Sequence, residues 1–283
     1  MITKFGKRFL TDYIAGNSSF SNKEIAIGIC KDSEYELSDT NSRLGFEFLR
    51  IPIKFGGIDI DASLSPVKYT AIYSAIMPPN TSGKINELGI YPGTRSSTNR
   101  FDDKFITDFE LPYDWSETPE IDQINYRVGN SSLIFKSSVQ EYQITLTDFD
   151  LSGYSNFDSL SFSYKVNNEY LSNIKIRFYT TDNSYYQMTF DNHIVGWNIK
   201  EKNLSELETV GTPNKSNITK LGVVITPTTQ EASVSMDGLR INDEDTFDPT
   251  HGLIARSVLD NEIEKVAGRE LRIEYKLDLS FGD

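Results

Sequence analysis

The sequence predicts a mainly β protein of the α+β kind: a discontinuous domain of sheet and helix, interrupted by a β-sandwich. Three observations carry that prediction. Short runs that alternate apolar and polar residues recur between 125 and 242, with polar turns between them, which is the patterning of a sandwich. Only one long stretch, near the N-terminus, repeats its apolar residues at helical spacing. The cleanest alternating strand, Leu271–Phe281, comes last, and the tail that carries it is too short to supply a sheet of its own. It needs partners from the N-terminal part of the chain, which makes the middle an insertion. The expected boundaries are 1–112 with 245–283 for the discontinuous domain and 113–244 for the sandwich.

In order, Thr3–Gly16 is the helix, with Phe5, Phe9, Leu10, Tyr13 and Ile14 on its stripe, Thr3 as N-cap and Gly16 as stop. A polar loop at 17–22 leads to a strand, Glu24–Cys30, and then to an exposed loop at 31–41. Leu44–Phe55 reads as one long strand whose apolar parity switches near Arg50, implying a bulge there or burial on both faces. Gly56-Gly57 is expected to turn the chain into the next strand, Ile58–Leu64. Lys68–Tyr91 reads as a hairpin. Its first strand is apolar on both faces, Pro78-Pro79-Asn80 ends the pairing, Thr81-Ser82-Gly83 turns, and Lys84–Tyr91 returns with Gly89 marking a bulge or a close backbone approach. Pro92–Arg100 is a surface loop and 113–121 a connector. Leu160–Val166, Ile174–Phe178, Tyr186–Phe190 and Leu221–Ile225 are sandwich strands. An acidic linker at 243–250 precedes Val258–Lys265, a weak helix or turn, and then the final strand. That strand sets Arg272, Glu274, Lys276 and Asp278 opposite its apolar face.

A formal charge of −13 argues against nucleic acid as a direct partner, since that needs a basic stripe. No apolar run approaches the roughly eighteen residues of a spanning helix, so no membrane span is expected. No cationic and apolar leader opens the sequence, so synthesis in a cytoplasm is expected. Cys30, the single cysteine, sits in the apolar run EIAIGIC and reads as a buried, inert thiol. His193 and His251 have no metal-ligand spacing, and no nucleophile elbow, Walker loop or H-E-x-x-H occurs, so the chain is not expected to be an enzyme.

The segments Ile25–Gly28, Leu49–Ile53, Lys68–Tyr73, Ile85–Tyr91 and Ala255–Leu279, in that order, resemble a module of tailed-bacteriophage structural proteins. That resemblance covers about half the chain. It implies a virion component in a tail, baseplate, collar, fibre or head-decoration position, made in the host cytoplasm and held by other virion proteins, with no catalytic residues. The middle segments Asp108–Trp115, Tyr126–Phe135, Gly196–Glu206, Gly211–Thr226 and Ser233–Ile241 resemble jelly-roll carbohydrate-binding modules of the galactose-binding-like sort. This second resemblance implies a structural calcium, with Glu110 and Asp237 at the ion-facing positions. Asp237-Gly238 stands where that family often has paired acids.

A sugar site needs aromatic platforms with hydrogen-bonding groups. Tyr164, Phe178, Tyr185, Tyr186 and Trp197 are the candidates. Trp197 in this pattern is expected in the core, and Tyr185 and Tyr186 must point to opposite faces of one strand. Two functions follow. The leading one is a non-enzymatic particle component whose outer domain attaches to its neighbours, as a monomer or small homo-oligomer, and carries the jelly roll. The other is a carbohydrate-binding module for host-surface glycan, with Tyr164, Tyr185 and Trp197 as its contacts.

Overall fold

The computed structural model describes residues 1–16, 23–30, 37–65, 67–92, 105–242 and 252–279. The expected loops at 17–22, 31–36 and 93–100, the linker at 243–250, and Ser280 and Phe281 lie outside the described residues. The chain divides into two compact units, 1–99 with 246–283, and 100–245. The first unit opens with helix α1 (Lys4–Ile14) and strands β1 (Glu24–Ile29), β2 (Phe46–Pro52), β3 (Lys54–Asp61), β4 (Lys68–Met77) and β5 (Gly83–Tyr91). The second holds β6 (Glu120–Asp122), β7 (Ser132–Lys136), β8 (Tyr142–Phe149), β9 (Ser159–Val166), β10 (Leu171–Thr181), β11 (Ser184–Phe190), β12 (Gly196–Asn203), β13 (Glu208–Val210), β14 (Ile218–Pro227) and β15 (Ser233–Asn242). The chain then returns to the first unit for β16 (Ala255–Lys265) and β17 (Leu271–Leu279). Residues 105–112 lie with the sandwich, against the expected boundary at 112. The Ile106 amide donates to Leu239 O at 2.8 Å, and Thr107 bridges to the same residue.

In the first unit the strands form two sheets, ordered β16-β5-β1-β2 and β17-β4-β3. Strand β17 pairs antiparallel with β4 along its whole length, from Leu271 opposite Met77 to Leu279 opposite Tyr69. The expected hairpin is not formed, because β4 and β5 belong to different sheets. Pro78 and Pro79 cannot donate the first rungs of a ladder between them, and each strand is flanked on both sides by others. The long strand expected at 44–55 is also split. It leaves one sheet at Pro52 and enters the other at Lys54, so the parity switch near Arg50 marks a change of sheet. Gly56-Gly57 is a bulge inside β3 and not a turn. Strand β4 is covered on one face only: Ala71, Tyr73, Ala75 and Met77 are buried while Ile76 is 58% exposed. Residues 258–265, expected as helix or turn, continue β16 along β5, with a register break between Val258 and Ile263.

Helix α1 begins where the spacing predicts. Thr3 Oγ1 accepts from the Gly6 amide at 2.9 Å and donates to Leu253 O, which ties the cap to the returning C-terminal segment. Phe9 is buried, but Tyr13 and Ile14 remain exposed. The core of this unit holds an ion pair, Glu87 on β5 with Arg256 on β16, both essentially without exposed surface. Glu87 Oε2 also accepts from the Gly45 amide at 2.7 Å, while Arg256 donates to Asn41 Oδ1 at 3.1 Å and to the buried Cys30 Sγ at 3.3 Å.

The second unit is a β-sandwich of jelly-roll type. Its two five-stranded antiparallel sheets are ordered β13-β11-β10-β14-β8 and β12-β9-β15-β7-β6. Alternation sends Ile174, Ile176 and Phe178 of one sheet and Leu160, Phe162 and Tyr164 of the other into a single core. One end of that core is aromatic. The Phe135 ring lies 5.0 Å from Trp115 and 4.7 Å from Tyr142, edge to face in both cases. Each such buried side chain contributes about 1.5–3 kcal/mol.

Candidate functional site

The same alternation that fills the core sends every second residue of β10 and β11 outward. Because Ile176 faces Met188 and Phe178 faces Tyr186 inside, Arg177 faces Gln187 and Tyr179 faces Tyr185 outside. Register then extends a row across the sheet: Glu208 beside Gln187, Gln187 beside Arg177, Arg177 beside Gly222, and Gly222 beside Gln143. These outward residues bind one another. Gln187 Nε2 donates to Glu208 Oε2 at 3.2 Å, Arg177 Nε donates to Gln187 Oε1 at 2.9 Å, and Tyr179 OH donates to Glu141 Oε1 at 2.7 Å. Arg177 Nη1 also lies 3.4 Å from Glu141 Oε2. Its guanidinium sits 4.9 Å from the Tyr185 ring centre, and the Tyr185 and Tyr179 rings are 4.8 Å apart.

Gly222 makes room for this assembly. A Cβ there would lie 2.3 Å from Glu141 Oε1 and 2.8 Å from the Tyr179 ring, so only glycine lets the two side chains cross β14. Burial, reinforced by the bond to Glu141, pushes the Tyr179 hydroxyl up to about 12, which keeps it a neutral donor. Burial works against the Arg177 charge, but Tyr179 and Glu141 outweigh it and raise its pKa. The result is a fixed set of carboxylate, guanidinium, amide and phenol groups beside a partly exposed aromatic ring. That combination suits a polyhydroxylated ring, which offers hydroxyls at its rim and C–H bonds on its face.

Of the residues named from the sequence, Tyr185 lies in this assembly and Tyr164 does not. Tyr164 is fully buried, so it cannot contact a ligand. Its hydroxyl is bonded to His193 Nδ1, whose Nε2 faces Phe190 O at 3.1 Å. Burial lowers the His193 pKa, so the ring is neutral, with Nε2–H donating to Phe190 and Nδ1 accepting from Tyr164. Phe178 is also buried, and Tyr186 packs on the core with its hydroxyl donating to Pro213 O at 3.1 Å. Trp197, expected in the core, instead stacks at 5.0 Å from the Arg127 guanidinium. It lies on β12, in the other sheet, and is not part of the Arg177 row. Arg177, Tyr179, Gln187 and Glu141 were not singled out in the sequence. Their one signal was parity, since Tyr179 and Tyr185 each stand one residue from an inward aromatic.

Glu110 and Asp237 are brought together at a second place. A bulge between Asp237 and Leu239 re-aims β15 so that Asp237 is buried, and its Oδ2 accepts from the amides of Arg127 and Val128. Glu110 Oε1 accepts from the Asn130 amide at 2.7 Å, and Gly129, at φ +69°, turns the chain where a Cβ would strike that oxygen. Asp237 Oδ1 is buried with no partner. Burial, reinforced by the charge of Glu110, pushes the Asp237 carboxyl well above the usual range. A hard divalent cation fits this chemistry: it would take the orphaned oxygen and hold the Asp237 carboxylate ionised. No three His, Cys, Asp or Glu side chains group as a metal set among the described residues, so most remaining ligands would be backbone carbonyls.

No protein-family model and no curated protein matches the sequence. Several solved structures share parts of the course of the chain. The family 11 carbohydrate-binding module from Clostridium thermocellum, in complex with a β-1,3-1,4-mixed-linked tetrasaccharide, is 13% identical over 50% of this chain and 95% of its own, at TM-score 0.38. A carbohydrate-binding module of the β-sandwich superfamily is 10% identical over 80% of this chain and 100% of its own, at TM-score 0.36. An exo-β-agarase is 14% identical over 51% of this chain, at TM-score 0.36, and this chain spans 26% of its length. At these values the likenesses carry no argument, and the sandwich rests on its own strand ladders.

Proposed function

We propose that the second unit is a glycan-binding module and that its binding face is formed by Glu208, Arg177, Glu141 and Tyr185, positioned over Gly222 by the buried Gln187 and Tyr179. The observation that carries this reading is the Arg177–Glu141–Tyr179 network, held rigid on the outside of a sheet against the ring of Tyr185. A purely structural sheet face has no need of an ion pair, a neutral phenol and two adjoining tyrosine rings gathered over one glycine. The site binds and does not cleave: the Glu141 carboxylate is engaged by Arg177 and Tyr179, and the protein is not an enzyme. The first unit attaches the module to its surroundings. The resemblance of its segments to phage structural modules supports a place on a virion, where glycan binding would serve adsorption to the host surface.

A glycan array on the full chain, followed by titration calorimetry with the best-retained oligosaccharide, tests this. Tyr185→Ala removes a ring from the surface and leaves the core untouched. It should weaken binding about tenfold or more, at unchanged melting temperature. Retention of no glycan by the native protein, or an unchanged affinity in Tyr185→Ala, would remove the proposal.

A further inference from the structure

We infer that the first unit forms a two-fold dimer by pairing β3 with β3 of a second copy. The sheet β17-β4-β3 ends at β3, whose outer edge pairs with no described strand. An open edge is blunted most directly by a charge pointing along its apolar face. Here that face carries Phe55, Ile58 and Ile60, set beside Tyr73, Ala71 and Tyr69 of β4. Among the described residues the one charge over it, Lys23 Nζ at 5.9 Å from the Phe55 ring, stands at its Phe55 end and leaves Ile58 and Ile60 uncovered. All three are more than half exposed, at 54%, 60% and 57%. The stripe continues the buried apolar face of β4 and stops in solvent.

The sequence of β3 is complementary to itself when run antiparallel about Ile58. Gly56 is the extra residue of the bulge, since Phe55 faces Tyr73 and Gly57 faces Ile72. With Gly56 left out of each strand, Ile58 faces Ile58 of the second copy, Phe55 faces its Ile60, and Lys54 faces its Asp61. Lys54 and Asp61 both lie on the face opposite the stripe, as their register with Ser74 and Lys68 fixes. One pairing therefore sets six apolar side chains in three cross-strand pairs and two opposite-charge pairs at its ends. That charge match singles out a second copy as the occupant. An isologous contact of this kind closes on itself and extends each three-stranded sheet into one of six.

Sedimentation velocity on the full chain, over a range of concentrations, tests the inference. The native protein should dimerise, and Ile58→Lys, which sets two like charges at the two-fold, should be monomeric with an unchanged melting temperature. Lys54→Glu alone and Asp61→Lys alone each turn both end pairs repulsive, and should weaken the dimer about tenfold or more. An equal mixture of those two single variants restores both attractions and should form the mixed dimer, as should the double variant with itself. A native protein that stays monomeric, a dimer unaffected by Ile58→Lys, or a mixture that does not associate would each overturn the inference.

Discussion

Arg256→Met should unfold the first unit far more easily than a loss of packing would explain. The substitution keeps the length and apolar volume of the side chain. It removes the guanidinium that pairs with Glu87, a carboxylate with no exposed surface. Removing one partner of a buried pair costs about 3–5 kcal/mol. That is a large part of an ordinary domain's stability of about 5–15 kcal/mol. At a urea slope of about 2 kcal/mol per molar, the midpoint should fall by about 2 M. The two tryptophans, Trp115 and Trp197, both lie in the second unit, so their fluorescence follows that unit alone while far-ultraviolet circular dichroism follows both. Only the transition without a tryptophan signal should move. Adding Glu87→Gln removes the buried negative charge and keeps an acceptor for the Gly45 amide, so it should recover about 1 M or more of the loss. A midpoint that shifts by less than about 0.5 M in Arg256→Met, or a double variant no more stable than the single one, would refute the reasoning.

Two further outcomes concern the second unit. The folded-state pKa of Asp237 lies above its unfolded value, so the native state holds that proton more tightly and, in chelator, stability falls as pH rises from about 4 through the raised value. Calcium at about a hundred times its Kd should restore about 2.7 kcal/mol at neutral pH. Asp237→Asn should abolish both the pH slope and the calcium effect in tryptophan-monitored melts, and an unchanged slope would count against the site. Gly222→Ala places a methyl 2.3 Å from Glu141 Oε1, and should cost about 1–3 kcal/mol while displacing Glu141 and Tyr179. Calorimetry should then find glycan binding lost in a protein that still melts cooperatively.

What could be read in the sequence was what short-range pattern encodes. Alternation located β9, β10, β11 and β14 within three residues at each end, and helical spacing with Thr3 located α1. The final strand was recognisable as an orphan, and it lies on β4. Partner choice was not legible. A tight hairpin and a crossing between sheets use the same turn residues, so Pro78–Gly83 looks alike in both, and only distant competition from β1, β3, β16 and β17 separates β4 from β5. Residues 258–265 carry three acids and scattered apolar residues, weak strand formers that the ladder with β5 overrides. The proposed binding face was hidden for the same reason. Arg177, Glu141 and Gln187 are ordinary outward residues one at a time, and become a group only through the register of β8, β10, β11 and β14.

The two proposals bear on each other through valence. A site on the open face of a sheet encloses little of a sugar, whereas pockets of high affinity bury most of their ligand. Such a face gains affinity mainly by acting in more than one copy. When β3 joins two chains, the second glycan contact becomes intramolecular, at an effective concentration that reaches the order of millimolar for a short tether. Gains of about 10²–10⁴ in retention then need no new contact with sugar. Affinity for a single oligosaccharide and retention on a surface that displays many are therefore separate properties. On these two proposals the first would be set by the Arg177 row on the sandwich, and the second by the charge order of one exposed strand in the other unit.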